Sequence, residues 1–186
     1  GGLDEYCDEM LGFCRVYSGE EHNMTVDIWQ FIVLHPRSKS YSLRPVTCRE
    51  GAFKPSIPVC RGNRTMIAVA ANGNVFPCMQ MSGYYEARND VLGNVKESGL
   101  RPILQVGKYL AEVCSTVGDL ASANAECNAC PYFKYCAGGC RAIALTLTSD
   151  KMGVDLSKCL FYKKGYYQKS VETMGDWHNN TPITVE

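Results

Sequence analysis

Four cysteines stand in the run Cys127-Asn-Ala-Cys130-Pro-Tyr-Phe-Lys-Tyr-Cys136-Ala-Gly-Gly-Cys140, with gaps of two, five and three residues. Thiolates are soft metal ligands and redox groups, so a run this dense points to a metal centre or a redox centre. Eleven cysteines in 186 residues admit three readings. A disulfide scaffold is disfavoured, because such chains are short and carry roughly 8–10% cysteine. Structural zinc prefers two separated short pairs, each offering two ligands to one tetrahedral ion. Only one such pair is followed closely by further cysteines, and His22, His35 and His178 are isolated. The uneven gaps favour iron-sulfur chemistry, since a compact run can hand its last thiolate to a neighbouring cluster.

These thiols have to be positioned by the flanking elements. Asn72-Gly73 separates the apolar runs Thr65 to Ala71 and Val75 to Cys78, a strong hairpin signal that predicts a type I′ turn and carries Cys78 to the end of the second strand. Pro77 cannot donate to a ladder, which predicts that this strand is a sheet edge. Residues 3–17 place Leu3, Tyr6, Cys7, Met10, Leu11 and Cys14 on a helical stripe. Val26 to Leu34 reads as one buried strand stopped by His35-Pro36. Residues 36–59 hold Pro36, Pro45, Pro55 and Pro58 among polar residues, which predicts a connector with a boundary near Val59. Pro102 opens an amphipathic pattern through Ile103, Val106, Leu110, Val113 and Cys114, and a further helix is expected from Ala142 to Leu147. Cys7, Cys14 and Cys114 read as small buried hydrophobes on these stripes.

The bulk composition narrows the partners. Nineteen basic and nineteen acidic residues cancel, so net charge offers no attraction to nucleic acid or to an anionic membrane. No apolar stretch approaches the roughly 18 residues of a membrane span. A soluble, cytoplasmic protein is expected, with neither nucleic acid nor membrane as partner. Gly1-Gly2-Leu3 has no initiator Met or signal-peptide layout, which reads as a boundary within a longer protein.

Taken together, the layout Cys60-x12-Gly73-x4-Cys78, Cys127-x2-Cys130-x5-Cys136-x3-Cys140 and Cys159 resembles the seven-cysteine signature of the SPASM domain. That domain is the auxiliary-cluster C-terminal domain of many radical S-adenosylmethionine enzymes. The phrases Asn72-Gly73-Asn74-Val75-Phe76-Pro77-Cys78 and Val91-Leu92-Gly93-Asn94-Val95 fit it as well. The resemblance implies two 4Fe-4S clusters. Cys60, Cys78 and Cys140 would hold the first; Cys127, Cys130, Cys136 and Cys159 would hold the second. The first cluster then needs a fourth ligand. Cys48, an open or substrate-filled site, and another ligand are the alternatives, and Cys48 is the nearest upstream thiol.

The fold class expected on this basis is α+β. Residues 60–186 would form a small irregular domain with a β-hairpin and short helices organised around the clusters. Residues 1–59 would be the end of a partial α/β barrel and a bridge. The Cys-x3-Cys-x2-Cys run that binds the radical-generating cluster is absent, so the chain alone is expected to be inactive, with S-adenosylmethionine bound only by a missing N-terminal part. The expected partners are the rest of that barrel and a peptide or protein substrate, with the clusters anchoring the substrate region and accepting an electron. Met79 follows the hairpin cysteine where the sulfatase-maturing branch has an Asp, which argues against that branch. Three other readings stay open: a zinc-stabilised interaction module, an electron carrier acting in trans, and part of a small-molecule dehydrogenase.

Overall fold

The computed structural model describes residues 2–43, 54–60, 66–105 and 107–180. Cys48, the candidate fourth ligand, lies outside the described residues. In chain order the elements begin with α1 (Leu3–Gly19), β1 (Val26–Ile28), β2 (Ile32–His35), β3 (Ser40–Leu43), β4 (Ala68–Val69) and β5 (Asn74–Phe76). They continue with α2 (Met79–Ala87), β6 (Gly93–Asn94), α3 (Val95–Ser98), α4 (Leu100–Gln105), α5 (Lys108–Val113) and α6 (Val117–Ala123). The last are α7 (Ala125–Asn128), α8 (Phe133–Cys136), α9 (Arg141–Thr148), α10 (Leu156–Lys163), α11 (Tyr166–Met174) and β7 (His178–Asn179). The class is α+β, with two small sheets and no closed barrel among the described residues.

The chain divides into two discontinuous units. The first comprises Gly1–Phe53, Cys130–Ala137 and Leu156–Glu186; the second comprises Lys54–Ala129 and Gly138–Asp155.

In the first unit, α1 buries Cys7, Met10, Leu11, Cys14 and Tyr17, spaced by the helical period. That stripe packs against Ile32 and Leu34 of β2, Tyr41 and Leu43 of β3, and Phe161, Tyr162, Tyr166 and Tyr167 of α10 and α11. The stretch 26–34 is not one strand. Gln30 adopts φ 72° and reverses the chain, so β1 and β2 pair antiparallel with Ile28 opposite Ile32. β2 pairs with β3 antiparallel, and β7 joins β3 in parallel. Lys163 and Lys164 face solvent while Tyr162, Tyr166 and Tyr167 are buried, as a helix with one packed side requires.

Burial pushes the Cys14 thiol up to about 11 from 9.0. Its proton is kept in the folded chain and released in the unfolded one above about pH 9, so stability falls as pH rises through this window. The expected loss by about pH 11 is roughly 2–3 kcal/mol. In urea titrations of the apo protein, Cys14→Val should flatten the decline between pH 9 and 11.

In the second unit, β4, β5 and β6 form a three-stranded sheet with β5 in the centre. The edge expectation for that strand is therefore corrected. Pro77 stands one residue beyond Phe76, the last residue of β5, so its missing N–H costs the ladder nothing. The hairpin forms where Asn72-Gly73 predicts it, but the turn is not type I′. Gly73 has φ 97° and Asn72 has no positive φ. Ala70 accepts from Gly73 N–H and donates to Asn74, both at 2.9 Å, which is a longer loop closed by a positive-φ glycine. The amphipathic run from Pro102 is also divided. Gly107 adopts φ 67°, and separate helices α4 and α5 lie on either side. The helix expected near 142–147 is α9.

Candidate metal centre

Two of the sequence-predicted thiols stand at helix N-termini in the second unit. Cys78 is the N-cap of α2, in extended backbone; its side chain closes no capping hydrogen bond, but the nearby backbone N–H groups of Met81 and Gln80 act to hold its thiol down. Cys140 is the N-cap of α9, likewise without a side-chain capping bond, and the N–H groups of Ile143 and Ala142 act on it in the same way. N–H donors and the positive end of a helix dipole both favour the thiolate form. Burial works the other way and prevails. It pushes the Cys78 thiol up, with the neighbouring Cys60 adding to the rise. It pushes the Cys140 thiol up as well, with Asp155 and Cys78 adding to it. These influences tie three sulfurs together: Cys60 acts on Cys78, and Cys78 acts on Cys140. Phe76, Met81, Tyr85, Ala142 and Leu145 form the apolar cluster that holds Cys78, with Cys140 packed against it.

Cys60 is fixed by a short antiparallel contact. Val59 N–H donates to Ser115 O at 3.1 Å, Val117 N–H donates to Ile57 O at 2.8 Å, and Pro58 bridges Thr116. Thr116 also caps α6 through a reciprocal capping box with Asp119, which fixes the partner strand in place.

The approach to Cys140 is held by residues that the cysteine spacing did not flag. Gly138 and Gly139 adopt φ +83° and +75°. A Cβ on Gly138 would lie 2.1 Å from Leu120 Cδ2, and one on Gly139 would lie 2.4 Å from Asp155 Oδ2. The space left by the glycines is thus filled by protein atoms. Asp155 is 1% exposed and accepts the Cys140 N–H at 2.7 Å. Arg141, 4% exposed, donates to the carbonyls of Lys151 and Gly153, each at 2.8 Å, and to that of Gly138. Arg141, directly after Cys140, was the available signal, as a base able to satisfy a loop's buried carbonyls; Asp155, fifteen residues further along, gave none.

The remaining assigned cysteines are distributed as follows. Cys127 lies in the second unit, buried, with its N–H donated to the Asn124 side chain at 3.0 Å. Cys130, Cys136 and Cys159 lie in the first unit, each half-buried. Within that unit Cys136 neighbours Tyr162, whose hydroxyl is pushed up by burial, then by Cys136, Tyr167 and Tyr135. Tyr132 and Tyr167 stack on Tyr162 with ring centroids 5.3 and 5.7 Å away. This aromatic wall excludes water, one of the levers on a cluster potential.

Cys7 and Cys14 are buried as expected, each 1% exposed. Cys114 is not: it is an exposed residue at the C-cap of α5, because the helix that was to bury it is interrupted at Gly107.

The donor set fits an iron-sulfur cluster. A cluster offers several irons to separate thiolates and carries negative sulfides that N–H groups can stabilise. Three mutually influencing thiols with backbone donors at two helix starts meet that demand. Among the described residues, no three Cys, His, Asp or Glu side chains converge on a site for one ion. Residues 60–131 match the SPASM family, an iron-sulfur cluster-binding domain. The match covers less than half of the chain and includes Cys60, Cys78, Cys127 and Cys130. No curated protein and no solved structure is detectably similar.

Proposed function

We propose, from the match of residues 60–131 to the SPASM family of iron-sulfur cluster-binding domains, that the chain is the auxiliary-cluster portion of a radical S-adenosylmethionine enzyme that modifies a peptide or protein. It carries two 4Fe-4S clusters. Cys60, Cys78 and Cys140 hold the first; Cys127, Cys130, Cys136 and Cys159 hold the second. The protein works in the cytoplasm, where thiols stay reduced. No helix among the described residues is long and apolar enough to cross a membrane.

The observation that carries the proposal is that Cys78 and Cys140, far apart in the chain, meet at one apolar cluster, with Cys60 neighbouring Cys78. When bound, the clusters supply an acceptor for the electron left on substrate after hydrogen abstraction. The polypeptide's own contribution is positional. Gln80, Met81, Ala142 and Ile143 turn N–H donors toward two of the thiolates. Asp155 holds the Cys140 backbone, and Tyr132, Tyr162 and Tyr167 keep water from Cys136.

Anaerobic reconstitution tests this reading. About eight irons and eight sulfides per chain are expected for two 4Fe-4S clusters. Zinc without sulfide in a colourless protein would overturn it in favour of an interaction module. In the full-length enzyme, cleavage of S-adenosylmethionine should depend on a peptide. Cleavage indifferent to peptide would overturn the assignment of substrate.

A further inference from the structure

The first cluster, as proposed above, has three thiolates from Cys60, Cys78 and Cys140 and lacks a fourth. The antiparallel contact at Cys60 identifies where one stands. Its register pairs Pro58 with Thr116, and Val59 N–H bonds to Ser115 O. Cys60 and Cys114 stand next to this bonded pair, Cys60 one residue after Val59 and Cys114 one residue before Ser115. Cys114 reaches this position as the C-cap of α5, where the helix ends and the chain turns into the short pairing.

A small cleft lies beside this contact. Its lining includes Cys60 itself, Met81 from the first turn after Cys78, Arg141 next to Cys140, and Val113 and Ser115 on either side of Cys114. Cys60 and chain neighbours of Cys78, Cys114 and Cys140, though not those three side chains themselves, thus border one space within the second unit. Cys114 is also the exposed cysteine of this group, whereas Cys78 is buried and Cys60 and Cys140 are half-buried. An exposed thiol on a chain end is the ligand best able to close onto a cluster after the others have gripped it.

We propose that Cys114 supplies the fourth thiolate of the first cluster. Ligation forms one iron-sulfur bond and releases the thiol proton to solvent. The proposal rests on the cluster reading of the previous subsection, and its test separates the two.

The chain is reconstituted anaerobically with iron and sulfide, and accessible thiols are blocked with iodoacetamide. The iron is then stripped from the unfolded protein, and the newly released thiols are labelled with an isotopically heavy alkylating agent and mapped by mass spectrometry. Cys114 should appear in the heavy set with Cys60, Cys78 and Cys140, and in the light set when the apo protein is treated. Light label on Cys114 with heavy label on the other three overturns this proposal and leaves the cluster reading standing. Heavy label on Cys48 in place of Cys114 does the same. Light label on all four overturns both.

A second readout uses Cys114→Ala, a change at an exposed helix end that spares the core. After mild oxidation the wild type should keep its iron. The variant should lose about one iron of about eight and show the electron paramagnetic resonance signal of a three-iron cluster. A variant that matches wild type in iron content and oxidised spectrum overturns the assignment.

Discussion

Cys140→Ala should remove one cluster and leave the other, lowering iron and sulfide from about eight of each to about four. The reasoning is local. Cys140 packs against the apolar cluster of the second unit that contains Cys78. The backbone at this position is held by Asp155 through the Cys140 N–H, a bond that alanine retains. The variant therefore folds and loses a ligand rather than its loop. Cys136→Ala should also remove about four irons, but from the other centre, and the double variant should retain almost none. If the run from Cys127 to Cys140 were instead a single four-thiolate site, both single changes would empty the same centre and the double variant would be no worse than either. Iron and sulfide analysis of the three proteins separates the cases.

Gly138→Ala should destabilise the apo protein by more than about 3 kcal/mol, combining overpacking with a left-handed backbone. The new Cβ would sit 2.1 Å from Leu120 Cδ2, and Leu120 is fully buried, so it has nowhere to retreat. Gly165→Ala provides the control. Gly165 also has positive φ, at +75°, but nothing lies within 4 Å of a Cβ there, so only the backbone cost of about 1–2 kcal/mol remains. Adding Leu120→Ala to Gly138→Ala should recover part of the loss, because the two side chains contest one space. Urea midpoints of the four proteins, wild type included, measure the comparison. Equal midpoints for the Gly138 and Gly165 variants would show that Leu120 does not define this passage.

Much of this was legible in the sequence. The stripe Cys7, Met10, Leu11 and Cys14 announces α1, because helical period and burial coincide there. Asn72-Gly73 announces the hairpin, and the cysteine gaps announce the family before any coordinates. Other features depend on tertiary context. The interruption at Gly107 needs a positive φ that only packing can demand, and it turns Cys114 from a core residue into an exposed one. The central place of β5 depends on β6, whose residues Gly93 and Asn94 pair with Val75 and Asn74 but carry no strand signal of their own. The hold of Asp155 on Cys140 spans fifteen residues and has no periodic trace in the chain.

The first unit gathers α1 from one stretch of the chain and α10 and α11 from another, with the cysteine-bearing turn 130–137 between them in sequence. The apolar face of α1 is translated early and finds its cover late. During synthesis β2 and β3 can cover part of that face early, but the cover from α10 and α11 waits until residues beyond 156 emerge, so closing the unit is a long-range step and a slow one. Cys60, Cys78 and Cys140 leave the ribosome before that step can finish. Their side chains are therefore out before the first unit can close, an order imposed by the path of the chain.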